Sequence, residues 1–256
     1  MRRTIVAAYG GLVYVLFLIT FLYTIGFLAG LPGLKTIDSG TAGGLARAVI
    51  IDLILLGVFA VQHSAMARQG FKRRWTRIIP GPIERSTYVL ASTAAVALLI
   101  WQWRPIGARV WTVENPAGWW ALTIVFWASW AVLLLSTFLI DHFSLFGLRQ
   151  VYCEWRRQPV PEPVFKTPVF YRLVRHPIYC GFIGAFWAVP RMTVGRLLFA
   201  LAATAYILIG ASLEERDLVA QFGDLYRRYQ RQVPMLVPHP SLARRNAAQV
   251  AGDSRI

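Results

Sequence analysis

The sequence predicts an all-α integral membrane protein. Of its 256 residues, 56% are hydrophobic and only 15% are charged, whereas charged residues make up about a quarter of a typical soluble domain. Mean hydropathy is +0.49. Two uncharged apolar stretches, 5–31 and 117–140, are also longer than the roughly 20 residues that a helix needs to cross the hydrocarbon core. These observations together predict a chain that crosses a membrane several times.

Four segments reach spanning length: 5–31, 45–67, 86–103 and 117–140. The first is longer than the apolar core of a signal peptide, so we interpret it as a retained span. The apolar residues 177–190 are fewer than a comfortable crossing needs, and residues 192–213 follow after a Pro-Arg break. This pair predicts a C-terminal helical hairpin, formed by two tilted spans or by a partly re-entrant pair, which gives five to six membrane segments in all.

The chain divides into three predicted regions. Residues 1–145 form the N-terminal transmembrane bundle, 146–240 form a cofactor-binding region with the hairpin and an interfacial helix, and 241–256 form a disordered tail. The two cysteines, Cys153 and Cys180, indicate no disulfide framework in a membrane chain of this kind.

The formal net charge of +15 is distributed by loop. Basic residues gather in 67–77, in 149–175 and in the C-terminal segment, whereas loops 32–46 and 104–116 are poorer in Lys and Arg. The positive-inside rule therefore predicts that both termini and the two basic loops are cytoplasmic. Anionic lipids, rather than nucleic acid, are the expected partners of this charge.

Polar residues are predicted to converge at the mouth of the hairpin. Its entry at Arg175-His176-Pro177 and its exit at Glu214-Glu215-Arg216 return to the same membrane face. His176, Tyr179 and Glu214 are thus expected within reach of one small molecule. Pro177 favours a helix start with free N–H groups, which attract a carboxylate. The alternative is that Arg175 and Glu214 simply pair to end two helices.

An amphipathic helix is predicted after the hairpin. Apolar residues recur at steps of three and four along "LEERDLVAQFGDLYRRYQRQVP", with arginines on the other side. The apolar positions are Leu218, Phe222, Leu225, Tyr226, Tyr229 and Val233. Such a helix is expected along the headgroups at the cytoplasmic face, with Pro234 ending it.

Residues 163–238 resemble a known superfamily. "RHPIYCG", followed by "EERDLVAQFGDLYRRYQRQVP", is similar to the C-terminal signature of the isoprenylcysteine carboxyl methyltransferases and phospholipid methyltransferases, R-H-P-x-Y-x-G, then E-E and F-G-x-x-Y-x-x-Y. "VQHSAMARQGFKRRWTRIIPGPIERSTYVL", "WQWRP" and "DHFSLFGLRQVY" resemble the NnrU-like branch and, within it, the bacterial methanethiol S-methyltransferases. This resemblance implies an enzyme that methylates methanethiol to dimethyl sulfide, with S-adenosylmethionine as methyl donor and S-adenosylhomocysteine as product.

The resemblance also implies a set of cofactor-binding residues: Pro163, Val164, Phe165, Lys166, Tyr171, Arg175, His176, Pro177, Ile178, Tyr179 and Glu214. One position departs from the pattern. Carboxyl methyltransferases carry a substrate-binding arginine four residues before the glutamate, where this chain has Gly210. A prenylcysteine carboxylate would lose its partner there, which favours a small thiol acceptor.

Candidate catalytic residues follow from the need to remove the thiol proton, because the thiolate is the nucleophile. A neutral His is the usual proton acceptor near neutral pH, so the candidates are His63, His142 beside Asp141, and Tyr152. Arg149 could hold the cofactor carboxylate or the developing thiolate, or it could be a basic membrane anchor. No metal site is predicted.

Other substrates and another function stay open at this point. The acceptor could be another small thiol, a prenylcysteine or a lipid amine, and the chain could instead be a non-enzymatic NnrU-like membrane protein of nitrogen-oxide metabolism. Asp52 lies inside a predicted span, so it is expected to face the bundle interior and to pair with Arg47 or a neighbouring helix. The tryptophans at 101, 103, 119 and 120 are expected to form an aromatic belt.

Overall fold

The computed structural model describes residues 2–40 and 43–238; the predicted tail at 241–256 lies outside them. The elements follow in chain order: α1 (Arg2–Ala29), α2 (Leu45–Ala67), α3 (Gln69–Trp75), α4 (Gly81–Gln102), β1 (Arg109–Thr112), α5 (Pro116–Ile140), α6 (His142–Leu145), α7 (Leu148–Arg156), a 3₁₀ helix (Val169–Arg172), α8 (Pro177–Trp187), β2 (Arg191–Thr193), α9 (Val194–Phe222) and α10 (Asp224–Gln232). The all-α fold class is confirmed.

Five helices in the described ranges are long and apolar enough to cross a membrane: α1, α2, α4, α5 and α9. They include the four spans predicted from the first half of the sequence. The protein is therefore a multi-pass membrane protein. We call the end that carries α3, residues 141–176 and α10 the basic end.

Helix α8 is too short to cross the membrane by itself. The chain that follows it is extended and completes a sixth crossing. Its 11 residues give a length of about 16 Å, roughly half of the hydrocarbon core. The next residues reach the end opposite the basic one, where β2 pairs antiparallel with β1 and the Val113 N–H donates to the carbonyl of Pro190 (2.8 Å). Residues 177–193 thus traverse the bundle without a full-length helix.

Helix α8 is held against α5 by a close approach at Gly181. A Cβ added there would lie 2.7 Å from Cβ of Leu133 and 2.7 Å from the carbonyl oxygen of Ser129. Only a residue without a side chain allows this approach of the two backbones. Because α8 carries the entry to the hairpin at its N-terminus, this packing also positions the polar residues there.

Two local predictions are wrong. The acidic pair is not at a helix end, because α9 runs through Glu214 and Glu215 to Phe222. The predicted amphipathic helix is likewise divided between the end of α9 and α10. Gly223 separates the two at φ 57° and ψ −130°, a conformation that is essentially restricted to glycine.

The interfacial face nevertheless forms largely as predicted. Tyr226, Tyr229 and Val233 are buried against Phe165, with Leu218 and Phe222 beside them. Leu225 is the exception, since it is 44% exposed.

Two further predictions, for Asp52 and for the tryptophans, concern the end opposite the basic one. Asp52 does face the interior, fully buried, but its partner is not Arg47: its Oδ1 accepts a hydrogen bond from the backbone N–H of Arg104 (2.9 Å). Trp101, Trp119 and Trp120 are exposed as expected of a belt. Trp103 is instead 1% exposed, and its indole N–H donates to the carbonyl of Ile37.

Candidate active site

The site begins at the N-terminus of α8, where the chain folds under its own C-terminal segment. The backbone N–H groups of Arg175 and His176 donate to the carbonyls of Pro234 (2.9 Å) and Met235 (3.2 Å). Pro177 has no N–H. In the described ranges, the N–H groups of Ile178 and Tyr179 donate to no acceptor, so two of the free N–H groups expected at this helix start are present.

Glu215 joins three elements. Its carboxylate accepts from Nε and Nη2 of Arg175 (2.6 and 3.2 Å), from Nε2 of His176 (3.1 Å) and from Nε2 of Gln230 (2.9 Å). Arg175 also donates from Nη1 to the carbonyls of Gln230 and Val233. The arginine therefore pairs with Glu215 and not with Glu214, and this network fixes α10 and the C-terminal segment over α8.

Glu214, the neighbouring carboxylate, has a much more open environment. Its side chain is 47% exposed, and Oε2 accepts from the phenol of Tyr179 (2.6 Å) and lies 3.7 Å from Nδ1 of His176. No hydrogen bond from the described residues reaches Oε1. The rings of His176 and Tyr179 stack with centroids 5.2 Å apart. We call Arg175, His176, Tyr179, Glu214 and Glu215 the polar mouth; it gathers the side chains that the topology predicted, with one carboxylate oxygen free.

Residues 163–171 pack against the end of α9 and against α10. Phe165 packs its ring against Phe222, Tyr226 and Tyr229, while Pro163, Val164 and Lys166 are exposed. The carbonyl of Tyr171 accepts from the phenol of Tyr229. Burial raises the pKa of the Tyr171 phenol, and the charge of Glu214 adds to that effect. Tyr171 therefore contributes a neutral, buried hydroxyl close to Glu214.

A second group of polar side chains lies among α2, α4 and α9. We call His63, Tyr88, Ser92 and Tyr206 the histidine–tyrosine cluster. The ring of His63 lies 5.0 Å from that of Tyr88 and 6.5 Å from that of Tyr206, which is about two turns before Glu214 on α9. Sequence reasoning singled out only His63 here. Helical spacing could have indicated Tyr206, because residues eight apart, like 206 and 214, share one face of a helix.

Hydrogen bonds define the state of His63. The Ser92 hydroxyl donates to the carbonyl of Tyr88 (3.0 Å), so its oxygen is left to accept from Nδ1–H of His63 (3.1 Å). Nε2 is then the unprotonated nitrogen, and the phenol oxygen of Tyr88 lies 2.8 Å from Nε2 and 3.1 Å from Nδ1. His63 is thus held as a neutral imidazole with Tyr88 as its donor.

His142 has a similar arrangement in a different place. It is 4% exposed and stacks on Phe138 with centroids 4.1 Å apart. Thr137 donates to the carbonyl of Leu134, so it accepts from Nδ1–H, and Tyr14 donates to Nε2; both distances to the imidazole are 2.8 Å. Burial lowers the pKa of His142. Its partners lie on α1 and α5, apart from the polar mouth.

Asp141 and Arg149 pair with each other. Asp141 also accepts from the backbone N–H of Ser144 (3.2 Å), which caps α6. The carboxylate is thus engaged by these two groups, and the orientation of His142 comes from Tyr14 and Thr137. Tyr152 is 52% exposed and lies beside Trp155. The structure does not bring these residues together with Glu214.

An open groove of about 330 Å³ runs along α9 and α10, lined by Ser212, Glu215, Arg216, Val219 and Gln230. Its volume is at the lower end of the range for small-molecule sites, about 300–1,000 Å³. Among the residues of the polar mouth, Glu215 lines the groove. The polar mouth therefore adjoins this groove through Glu215.

These features define the chain as a multi-pass helical membrane protein with a cluster of polar side chains at the basic end. The chain is 54% identical over 240 residues to the methanethiol S-methyltransferase of Mycobacterium tuberculosis, with 94% of this chain and 98% of that protein covered. It is 53% identical over 225 residues to the one from Pseudomonas sp. strain GM41(2012) (88% and 86% covered) and 49% identical over 238 residues to the one from Crocosphaera subtropica (93% of each). The chain belongs to the methanethiol S-methyltransferase family. No family model and no solved structure matches it.

Proposed function

We propose that this protein transfers the methyl group of S-adenosylmethionine to methanethiol and releases dimethyl sulfide. The observation that carries the proposal is the free carboxylate oxygen of Glu214 beside the two free N–H groups of α8, in a chain 54% identical to a protein named for that activity. S-adenosylmethionine supplies an electrophilic methyl group on a sulfonium.

The polar mouth fits the methionine part of this donor. That part carries an ammonium and a carboxylate, and a carboxylate is favoured at a helix N-terminus by the free N–H groups of Ile178 and Tyr179. The ammonium is complementary to Glu214, whose Oε1 has room for a further hydrogen bond. His176 and Tyr179 hold Glu214 in place through Oε2, and the groove along α9 and α10 offers additional volume.

The acceptor belongs on the other side of Glu214. A Cβ added at Gly210 would meet no atom within 4 Å, so there is open space on α9 one turn before Glu214, toward Tyr206. An arginine at this position would suit a carboxylate substrate; glycine leaves room for a small neutral thiol. A site with little water favours the reaction of a thiolate with a sulfonium, since charge disperses in the transition state.

The basic end is assigned to the cytoplasm of a bacterial inner membrane. The exposed arginines of α3 and α10 lie at this end, in agreement with the positive-inside rule. The polar mouth would then open toward the compartment in which S-adenosylmethionine is made, while an apolar thiol could arrive from either water or the bilayer.

Headspace gas chromatography of cells that express the chain and receive methanethiol tests this function, with Glu214→Ala as the control. Dimethyl sulfide from the unaltered chain only is the expected result. If membranes that contain the folded protein give no dimethyl sulfide, methanethiol is not the acceptor; transfer of labelled methyl to a lipid amine or a prenylcysteine in the same membranes would then identify the alternative.

A further inference from the structure

A buried phenol of α4 contacts a histidine that can accept its proton. Tyr88 is 6% exposed, and its oxygen lies 2.8 Å from Nε2 and 3.1 Å from Nδ1 of His63. The ring of His63 lies 6.5 Å from that of Tyr206, which is about two turns before Glu214 on α9. Around it stand Arg85, whose guanidinium lies 4.9 Å from the Tyr88 ring centroid, and the carboxylate of Glu84. Of the two candidate histidines, His63 is the one with a ring contact to α9 in the described ranges.

The hydrogen bonds of His63 hold its imidazole in the tautomer that a proton acceptor requires. The Ser92 hydroxyl donates to the carbonyl of Tyr88, so its oxygen accepts from Nδ1–H of His63. This hydrogen bond keeps the imidazole proton on Nδ1. Nε2, the ring nitrogen nearer to the Tyr88 oxygen, is then free to accept a proton. The phenol gives up its own proton only as it gains another, because a buried phenolate is costly.

We propose that Tyr88 binds the acceptor thiol and relays its proton to His63. This inference rests on the proposed methyl transfer. The S–H proton of methanethiol passes to Oη of Tyr88 while the phenol's own proton passes to Nε2 of His63. The electron pair of the thiolate sulfur forms the new C–S bond, and the broken C–S bond of the donor leaves its electron pair on the donor sulfur, which becomes a neutral thioether. The imidazolium then returns its proton to water.

Tyr88→Phe is the test, because it keeps the ring and removes only the hydroxyl. We expect kcat/KM for methanethiol to fall roughly 100-fold at neutral pH, the lower end of the range for general acid–base catalysis. The defect should shrink as the pH rises and bulk methanethiol ionises, since a thiolate needs no proton acceptor. Binding of S-adenosylhomocysteine, measured by isothermal titration, should stay unchanged.

Tyr14→Phe is the matched control, because it removes the corresponding bond to His142; its kcat/KM should follow the unaltered protein at every pH. If Tyr88→Phe does not fold, Ser92→Ala is the alternative test. Its kcat/KM should fall by less, and this defect should also shrink as the pH rises. Full activity of Tyr88→Phe, or a defect equal at all pH values in the variant that folds, overturns the relay. A lack of product from the unaltered protein would contradict the proposed function itself.

Discussion

Glu214 and Glu215 are adjacent carboxylates with opposite surroundings. Glu215 accepts hydrogen bonds from Arg175, His176 and Gln230, whereas Glu214 is half-exposed and accepts one, from Tyr179. Sequence topology predicted Glu214 near His176 and Tyr179, with a pairing of Glu214 and Arg175 as the alternative; it did not predict that Arg175 pairs with Glu215. Neighbouring residues on a helix point about 100° apart, and the rotation of α9 about its axis depends on packing that the local sequence does not encode.

This difference leads to a paired prediction. Glu214→Gln should weaken binding of S-adenosylhomocysteine at least tenfold, since an amide cannot neutralise an ammonium, while the melting temperature stays close to that of the unaltered protein. Glu215→Gln should instead lower the melting temperature, because it leaves the largely buried Arg175 unpaired. Isothermal titration and thermal unfolding in detergent measure the two effects. The reverse pattern would contradict the placement of the site.

His142 gives a prediction on stability and pH. Burial lowers its pKa, so the folded state keeps the imidazole neutral where the unfolded chain already binds a proton. The free energy of unfolding should therefore be highest above the ordinary His pKa of about 6.5 and should decrease as the pH falls through that value.

His142→Gln should be less stable at neutral pH, because the contacts to Tyr14 and Thr137 change, and its melting temperature should depend less on pH between 7.5 and 5.5. Methyl transfer per folded molecule should persist. Loss of activity with an unchanged melting temperature would instead point to His142 as the catalytic base.

At the scale of elements, the long apolar spans could be predicted from the sequence because hydropathy over about 20 residues depends on composition alone. The division between α9 and α10 could not. The apolar spacing continues through Gly223, and only the backbone angles at that residue separate the two helices. The crossing completed by residues 188–193 depends on pairing with β1, more than 70 residues earlier in the chain.

The contact between α5 and α8 supplies a prediction about an element. Gly181→Ala would place a Cβ 2.7 Å from Leu133 and from the Ser129 carbonyl, so the helices must separate, at a cost of about 1–3 kcal/mol for an overpacked contact. The free energy of unfolding and the affinity for S-adenosylhomocysteine should both fall, because α8 carries His176 and Tyr179.

Gly210→Ala is the matched control for stability. It adds the same methyl group to a helix, but into open space, and should raise the free energy of unfolding by up to about 1 kcal/mol. An equal loss of stability in both variants would argue against the close approach of α8 to α5.

At the scale of the whole molecule, the main prediction is the orientation of the protein in the membrane. Most of the net positive charge of the described residues lies at the basic end, which predicts that α10 is cytoplasmic and β1 is not. With Cys153 and Cys180 replaced by serine, Arg227→Cys should react with a membrane-impermeant maleimide only in inverted vesicles, and Arg109→Cys only in intact spheroplasts. Both parent side chains are exposed. Labelling of Arg227→Cys in spheroplasts would contradict the orientation.

The central claim is that this chain moves a methyl group from S-adenosylmethionine to methanethiol at Glu214. The most direct measurement uses purified protein in nanodiscs, methanethiol, and S-adenosylmethionine labelled with a trideuteriomethyl group, with mass detection of the volatile product. The account predicts dimethyl sulfide with one deuterated methyl group from the unaltered protein and little from Glu214→Gln. Folded protein that binds the donor but forms no labelled dimethyl sulfide, or Glu214→Gln with full activity, would contradict it.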